Sequence, residues 1–302
     1  MKTKIIPNEL IEDLSNDDYH AQLGPEEHYY SSSQIKDMLK DPELFHSKYI
    51  TGELKQESKP QFDIGTYIHT AILEPHLLDK ECAVYQGRRA GKKWEEFQEA
   101  NKGKAIITQA EVIKAENAIN GLKNSPVCME LVEGGTPEIS LFLTDFMGIR
   151  AKVRFDTLLL SKDYSYIADV KSTTGNVKEE WSLRQKVHSF GYDVSAAMYV
   201  DMVNTYIKQQ NLDVALVKEF WLLFATKDMP QAKAWCLTEE MLNVGRAKLY
   251  KAISLIKKYV ANDWEFEDES GFLGPLPWES QEWLGEDVEE EEIDNNEDED
   301  DL

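Results

Sequence analysis

The stretch that decides the fold is Gly148–Lys171, GIRAKVRFDTLLLSKDYSYIADVK, in which two largely apolar segments flank a polar turn. Charged and apolar residues alternate along the first segment, the charged ones being Arg150, Lys152, Arg154 and Asp156. Successive side chains of a strand point to opposite faces, so the alternation predicts a strand with one charged and one apolar face. The turn at Ser161–Ser165 predicts that the chain returns as an antiparallel strand.

The second segment carries an acid and a lysine two positions apart, Asp169 and Lys171. Two other acid-x-Lys triplets, at 53–55 and 57–59, lie in the polar run TGELKQESKP, which predicts a loop. Asp169 alone has apolar neighbours, and it shares a strand face with Lys171. Charges in such a setting need a partner, a metal or a ligand. The alternative is a surface ion pair on an edge strand.

Asp156 and Asp169 are predicted to lie on neighbouring strands, where both carboxylates can bind one divalent cation. Such an ion polarises a phosphate and lowers the pKa of its bound water. Lys171 would orient or deprotonate that water, or offset developing negative charge. The residue types therefore indicate phosphodiester hydrolysis, with a solvated charged face as the alternative.

Helical and strand patterns surround these two strands. Amphipathic periodicity and stop signals predict helices within 29–50, 62–75, 108–126, 192–209 and 239–261. Apolar, β-prone runs predict strands at 138–144, 149–160, 166–171, 219–226 and 232–238. The predicted class is α/β (mixed α+β), a small mixed sheet flanked by helices.

Charge and cysteine usage limit the function classes. The net charge of −23 does not predict a nucleic-acid partner, although twelve of the acids are concentrated in 286–301. Basic residues cluster at 88–93 and 150–154, so DNA contact is allowed within a groove. Three scattered cysteines argue against disulfides and a cysteine metal cluster. With no signal peptide or membrane-length apolar run, we expect a cytoplasmic protein without membrane contact.

Composition also predicts three regions: a polar N-terminal arm over 1–28, a folded domain over 29–260, and an acidic, largely disordered tail over 261–302. Trp278 and Trp283 precede the acidic block and would serve as aromatic anchors if the tail docks a partner or mimics DNA. The alternative is a solubilising tail.

Asp156, followed after the turn by Asp169-x-Lys171, resembles the PD-(D/E)xK nuclease signature. Four flanking segments stand in the order found in the RecE-like, exodeoxyribonuclease VIII-type phage exonucleases: YYSSSQIKDMLKDPELF, FDIGTYIHTAILEP, GRRAGKKWEEFQEANKGKAIIT and YDVSAAMYVDMV. The resemblance covers Tyr29–Lys258. It implies a restriction-endonuclease-like core, so that 29–260 is a PD-(D/E)xK nuclease domain.

The resemblance also implies roles for individual residues. Asp156, Asp169 and Lys171 are the catalytic residues. His69 and the less certain extra acid Glu138 would join the two aspartates in binding Mg²⁺, with Mn²⁺ as an alternative ion. Considered without the family, His69 is interpreted as a packed or partly exposed helix residue, and Glu138 is equally an ordinary exposed strand-end acid.

Two further groups of residues are expected around the site. The predicted DNA contacts are Arg88, Arg89, Lys92, Trp94, Lys152 and Arg154, through phosphate binding and base stacking. Tyr199 matches the tyrosine of a Gln-x-x-x-Tyr helix motif in the related nucleases, whereas Ser195 replaces its glutamine and is too short for the same reach. Tyr192 is the supporting residue that would partly substitute for it.

The resemblance implies a Mg²⁺-dependent deoxyribonuclease that degrades duplex DNA from its ends, 5′ to 3′. The resulting 3′ single strands would serve phage-type homologous recombination and DNA repair. A single-strand annealing protein and a ring-shaped homo-oligomer are the implied partners. The alternatives are a structure- or sequence-specific endonuclease on the same core, and a catalytically silent DNA- or protein-binding module.

Overall fold

The computed structural model describes residues 5–21, 28–54 and 60–266, without the side chains of residues 60 and 61, and a six-stranded mixed sheet lies at its centre. In spatial order its strands are β1 (Leu10–Ile11), β4 (Thr136–Phe146), β5 (Ile149–Leu159), β6 (Tyr166–Thr173), β7 (Glu219–Thr226) and β8 (Gln231–Cys236). A parallel pair, β2 (Cys82–Tyr85) and β3 (Ala105–Thr108), forms a separate small sheet.

The helices lie before, between and after these strands. They are α1 (Asn16–His20), α2 (Ser32–Lys40), α3 (Pro42–Tyr49), α4 (Pro60–Leu73), α5 (Leu78–Glu81), α6 (Lys92–Ala100), α7 (Gln109–Lys123), α8 (Pro126–Glu133), α9 (Glu180–Phe190), α10 (Tyr192–Gln209) and α11 (Glu239–Ala261). The mixed α/β class and all the predicted strands and helices are confirmed. The sequence analysis did not predict β1 to β3, α1, α5, α6, α8 or α9.

Strand β6 is the centre of the sheet. It pairs in parallel with β7 along its whole length, from Tyr166 to Thr173. It is antiparallel to β5 over only three pairs, which end at Thr157–Ala168. Beyond that pair the two strands separate, and Asp156 and Asp169 are the next residues on each side. The separation leaves space for a site at this edge of the β5–β6 pair.

Two apolar layers cover the sheet because β6 is apolar on both faces. On one face Ile167 joins a core that contains Val153 and Phe155 of β5 and buried residues of α2, α10 and α11. On the other face Ala168 and Val170 pack with α4, α7 and α8. A strand buried on both faces tolerates a charged pair only where the side chains find partners.

Residues 5–21 were predicted to be part of a polar N-terminal arm. In the structure this segment packs on the sheet and belongs to the folded domain, which corrects the prediction for these residues. Strand β1 pairs with β4, and Leu14 and Tyr19 form a buried cluster with Tyr29 and Phe142. These apolar side chains are buried by lying over β4 and β5. The compact unit ends at Trp264, and residues 267–302, with Trp278 and Trp283, lie outside the described residues.

The same segment covers much of the charged face of β5. Lys152 is 2% exposed and donates a hydrogen bond from Nζ to the Tyr19 carbonyl oxygen at 2.6 Å. Burial, with Arg154 nearby, lowers the pKa of Lys152 to about 8. The prediction that Lys152 contacts DNA is therefore wrong, because its ammonium group is enclosed within the protein.

Within the described ranges, no helix is long and apolar enough to cross a membrane.

Candidate active site

A cleft of about 980 Å³ lies beside the separated ends of β5 and β6. One wall is formed by α4, whose residues Phe62, Gly65, Thr66 and His69 line the cleft in an i, i+3, i+4, i+7 pattern. Such spacing places the four residues on one helix face. The opposite parts of the cleft include the C-terminal half of β6 and the start of α10. The cleft therefore joins elements that are far apart in the sequence.

Asp156 stands at the point where β5 and β6 separate. Its Oδ2 accepts a hydrogen bond from the Val170 backbone N–H at 2.7 Å, in place of the backbone pairing that has just ended. The same oxygen lies 3.4 Å from Nδ1 of His69. Asp156 thus stabilises the open end of the strand pair and presents its carboxylate to the cleft.

Glu138 reaches the same place from β4. Its backbone φ is 51°, a left-handed value that is uncommon for a residue with a Cβ and costs free energy. Burial, and then the Asp156 carboxylate, raise the pKa of Glu138 to about 8, against the opposing effect of Arg154. A strained backbone and a raised carboxyl pKa indicate that the fold holds this acid beside another acid at a cost in stability.

His69, Glu138 and Asp156 together form a candidate metal centre. One ligand atom from each lies within 4.8 Å of the others. Two carboxylates and an imidazole suit a divalent cation, because the acids supply oxygen ligands and the charge of the ion offsets their repulsion. The residues therefore fit a divalent metal. The geometry is compatible with the prediction that His69, Glu138 and Asp156 are metal ligands.

Asp169 and Lys171 form an ion pair next to the metal-ligand group. Both side chains are largely enclosed, at 8% and 23% exposure. Burial alone would lower the pKa of Lys171, but the Asp169 and Asp156 carboxylates outweigh it and raise that pKa above its ordinary value. Burial raises the pKa of Asp169, and Lys171 opposes the shift. Lys171 is therefore a cation in this arrangement, and the role of Asp169 as a metal ligand stays a prediction.

The predicted basic segment after β2 lies elsewhere. None of Arg88, Arg89, Lys92 and Trp94 lines the cleft. Arg89 donates to Glu111 at 2.7 Å and to the Ile106 carbonyl at 2.8 Å, so it holds α7 and β3 together. Arg88 and Lys92 are exposed. DNA contact by this segment stays a prediction for a surface outside the cleft.

Arg154 lines the cleft but is largely committed to the N-terminal segment. Its guanidinium donates to Asn16 Oδ1 and the Leu14 carbonyl, both at 2.7 Å, and to Ser140 Oγ at 3.0 Å. It also lies over the Tyr19 ring, 4.4 Å from its centroid. Arg154 therefore positions the segment that borders the cleft, and a contact between it and DNA stays a prediction.

The predicted supporting residues lie on α10, and they differ in position. Tyr192 and Tyr199 line the cleft, and the Tyr199 ring packs edge-on against Phe155. Ser195 does not line the cleft, and its Oγ lies 3.5 Å from the Gly191 carbonyl of the preceding helical turn. The short side chain thus stays on its own helix, as its length predicts.

Sequence reasoning missed three residues near the site. Lys36 of α2 lies with its Nζ 5.9 Å from the centroid of the Tyr192 ring, and Lys186 and Phe190 of α9 line the cleft. Only Lys36 stood in a segment that carried the family resemblance. Helix α9 was not predicted at all, because its short polar sequence shows weak amphipathic periodicity.

The fold and the site together define a member of the PD-(D/E)xK nuclease superfamily. The chain belongs to the family DUF3799, described as a PDDEXK-like domain of unknown function, whose model matches residues 31–270. It is similar in structure to a protein from Eubacterium rectale described as a "putative exonuclease", with a TM-score of 0.59 and 18% identity over 88% of this chain and 96% of the other. No curated protein matches the chain. The superfamily prediction is confirmed, and the RecE-like assignment within it stays a prediction.

The raised pKa of Glu138 predicts how stability depends on pH. In metal-free protein we expect the free energy of unfolding to fall as pH rises from the ordinary pKa of 4.5 to about 8, because Glu138 must ionise beside Asp156. Glu138→Gln should remove this contribution, so that the variant gains on the order of a few kcal/mol over wild type at pH 8 and almost nothing at pH 4.5. Urea unfolding in EDTA across this range measures the difference. Glu12→Gln, at an exposed site, is the control, and a Glu138→Gln difference that is independent of pH would contradict the expectation.

Proposed function

We propose that the protein is a Mg²⁺-dependent deoxyribonuclease that hydrolyses DNA from its ends. The observation that carries the proposal is the convergence of His69, Glu138 and Asp156 within 4.8 Å, beside the Asp169–Lys171 pair and inside a cleft. Acids, imidazole and a buried lysine in this arrangement match the needs of phosphodiester hydrolysis better than those of a binding surface.

His69, Glu138 and Asp156 would hold the cation. A divalent cation in such a site polarises a phosphoryl oxygen and lowers the pKa of bound water. The Asp156 carboxylate keeps its position because the Val170 N–H holds it. Burial and the Asp156 carboxylate raise the pKa of Glu138. Because the ionised carboxylate is the ligand form, affinity for a divalent cation should be greater when this carboxyl is ionised.

Lys171 would act through its positive charge. Because Asp169 and Asp156 keep its ammonium protonated, Lys171 is suited to orient the attacking water and to donate a hydrogen bond to the phosphate as negative charge develops. A proton acceptor at this position would need a pKa below the ordinary lysine value. Asp169 in turn fixes the position of the ammonium group.

The exonuclease character has two supports. The family resemblance in the flanking segments implies 5′-to-3′ degradation of duplex ends, and the structural neighbour is described as a "putative exonuclease". A role in phage-type recombination, an annealing-protein partner, a ring-shaped oligomer and a cytoplasmic location belong to the same proposal. A catalytically silent module is disfavoured, because His69, Asp156 and Lys171 line a common cleft and Asp169 is paired with Lys171.

One assay separates these possibilities. Linear duplex DNA labelled at either the 5′ or the 3′ end, and a covalently closed circle, are incubated with the protein in Mg²⁺ and in EDTA. We expect stepwise loss of the 5′ label from linear DNA in Mg²⁺, an intact circle, and no hydrolysis in EDTA. Cleavage of the circle would favour the endonuclease, and an absence of hydrolysis in Mg²⁺ and Mn²⁺ would refute the nuclease proposal.

Gly65 offers a test of where the substrate lies. It stands within α4, between Phe62 and His69 on the cleft wall, and an added Cβ would meet no atom of the described residues within 4 Å. Glycine inside a helix is roughly 1 kcal/mol less favourable than alanine, so Gly65→Ala should slightly stabilise the protein. If DNA lies against this wall, the methyl group should nevertheless raise KM about tenfold, as for mild overpacking. Thermal unfolding and steady-state hydrolysis measure the two effects, and an unchanged KM would place the DNA away from α4.

A further inference from the structure

Phe190 is a large apolar side chain exposed in a polar cleft. It is the last residue of α9, it is 56% exposed, and its ring lines the cleft. The ring stacks on Tyr192 with a centroid distance of 5.5 Å and an interplanar angle of 26°. Tyr192 in turn packs against Phe224, which is buried in the core. Phe190 is therefore the outer member of an aromatic stack that begins in the core.

The turn between the two rings holds them in this arrangement. Gly191 has a φ of 60°, which ends α9 and begins α10 within a single residue. A Cβ at Gly191 would lie 2.7 Å from Cδ of Lys36, so glycine also lets the lysine chain pass beside the stack. The Lys36 and Lys171 ammonium groups lie 5.9 Å and 5.4 Å from the centroid of the Tyr192 ring.

The stack is bordered by lysines. Asp169 and Asp37 lie near enough to Lys36, and Asp228 near enough to Lys227, to interact electrostatically. Lys186 donates from Nζ to Thr173 Oγ1 and to the Thr174 carbonyl, both at 2.6 Å and both neutral. Lys227 also lines the cleft and lies near enough to Lys186 to interact with it electrostatically. In the part of the chain that is described, no carboxylate forms an ion pair with Lys36, Lys186 or Lys227. This end of the cleft is thus basic, whereas the metal-ligand end is acidic.

We propose that Phe190 is a stacking platform for an unpaired base of the DNA strand whose backbone passes through the cleft. The inference rests on the proposed nuclease function and adds to it that the strand is single-stranded where it leaves the site. A nucleotide presents both a phosphate and an aromatic face, and this end of the cleft offers the ammonium groups of Lys186 and Lys227, which have no ion-pair partner among the described residues, beside an open aromatic ring. Aromatic stacking with neighbouring cations is a general means of binding single-stranded nucleic acid. Because the ring is already held by Tyr192, little conformational entropy is lost on binding.

The test compares Phe190→Ala with Trp181→Ala, which removes an aromatic ring that is 69% exposed on the same helix but does not line the cleft. Binding of a fluorescent single-stranded oligonucleotide is measured by anisotropy in EDTA, where no hydrolysis is expected. A second set of oligonucleotides carries one abasic position each. We expect Phe190→Ala to weaken binding about tenfold, the usual scale for loss of one stacked base. Phe190→Trp and Trp181→Ala should bind as wild type does.

The abasic set identifies the stacked base. When the missing base is the stacked one, wild type should bind the abasic oligonucleotide about tenfold more weakly than the intact oligonucleotide. Phe190→Ala should bind that abasic oligonucleotide as weakly as wild type does, because both have lost the same stacking contact. Unchanged binding by Phe190→Ala, an equal loss in Trp181→Ala, or a Phe190→Ala loss that persists for every abasic position would overturn the proposal. Hydrolysis in Mg²⁺ is measured separately. Active enzyme with unaffected Phe190→Ala binding refutes only the platform, whereas inactive wild type refutes the nuclease function.

Discussion

Asp156→Asn is expected to lower the rate of DNA hydrolysis by about a thousandfold or more, without loss of stability. Asparagine is isosteric, so its side-chain oxygen can still accept the Val170 N–H bond that holds the open end of the β5–β6 pair. The variant loses the negative charge of Asp156, whose carboxylate oxygen lies within 4.8 Å of the ligand atoms of His69 and Glu138. A change at one group that acts on developing charge commonly costs 10² to 10³ in rate, and removal of a metal ligand should cost at least as much.

The measurements are the rate of hydrolysis in saturating Mg²⁺, the affinity for Mg²⁺ by calorimetry, and urea unfolding in EDTA. Metal-free Asp156→Asn should be as stable as wild type or more so, since one of several neighbouring acids becomes neutral. Asp213→Asn, whose exposed carboxylate pairs with Lys162, is the matched control and should change none of these values. Near-wild-type hydrolysis by Asp156→Asn would rule out the assigned centre.

Lys171→Met is expected to lower the rate of hydrolysis at least a hundredfold and also to destabilise the protein. The variant leaves the Asp169 carboxylate buried without its cationic partner. Breaking a buried ion pair in this way costs about 3–5 kcal/mol, and the partial exposure of Lys171 places the expected loss nearer 2–4 kcal/mol. The loss should be larger at pH 8 than at pH 5, because burial already raises the pKa of Asp169 and an unpaired carboxylate is penalised only when it is ionised.

The double variant Asp169→Asn/Lys171→Met separates stability from chemistry. Removing both charges should restore most of the unfolding free energy, since no unpaired buried charge remains. Hydrolysis should stay at least a hundredfold below wild type in both variants, because the cation that faces the phosphate is still missing. Denaturant unfolding and hydrolysis are measured on the same preparations. Activity that returns together with stability in the double variant would show that Lys171 supports folding and not the reaction.

The placement of the candidate catalytic acids and the lysine could be predicted because their signal is local. Alternation along β5 and β6 places Asp156, Asp169 and Lys171 on defined strand faces whatever lies around them. The turn between the strands then brings the two acids close together. His69 and Glu138 needed the family resemblance, since one helical histidine and one strand-end acid carry no distinctive spacing.

Other features of the site depended on distant segments. The alternation that correctly predicted a charged face on β5 did not reveal that residues 5–21 would cover it and bury Lys152. The basic segment at 88–93 has the composition of a DNA contact, yet Arg89 forms internal bonds with Glu111 and Ile106. Local composition specifies charge, but the partner of a charge is decided by which segments pack beside it.

The sequence by itself thus determined the strand and helix pattern, the polarity of each face, and the residue types available for metal-assisted hydrolysis. Tertiary structure decided the separation of β5 from β6 at Asp156, the left-handed backbone of Glu138, and the aromatic stack of Phe190 and Tyr192 beside several lysines. The physical reason is that periodicity follows from backbone geometry within a few residues. A site assembled from α2, α4, β4, β5, β6, α9 and α10 instead depends on burial and charge pairing between residues far apart in the chain.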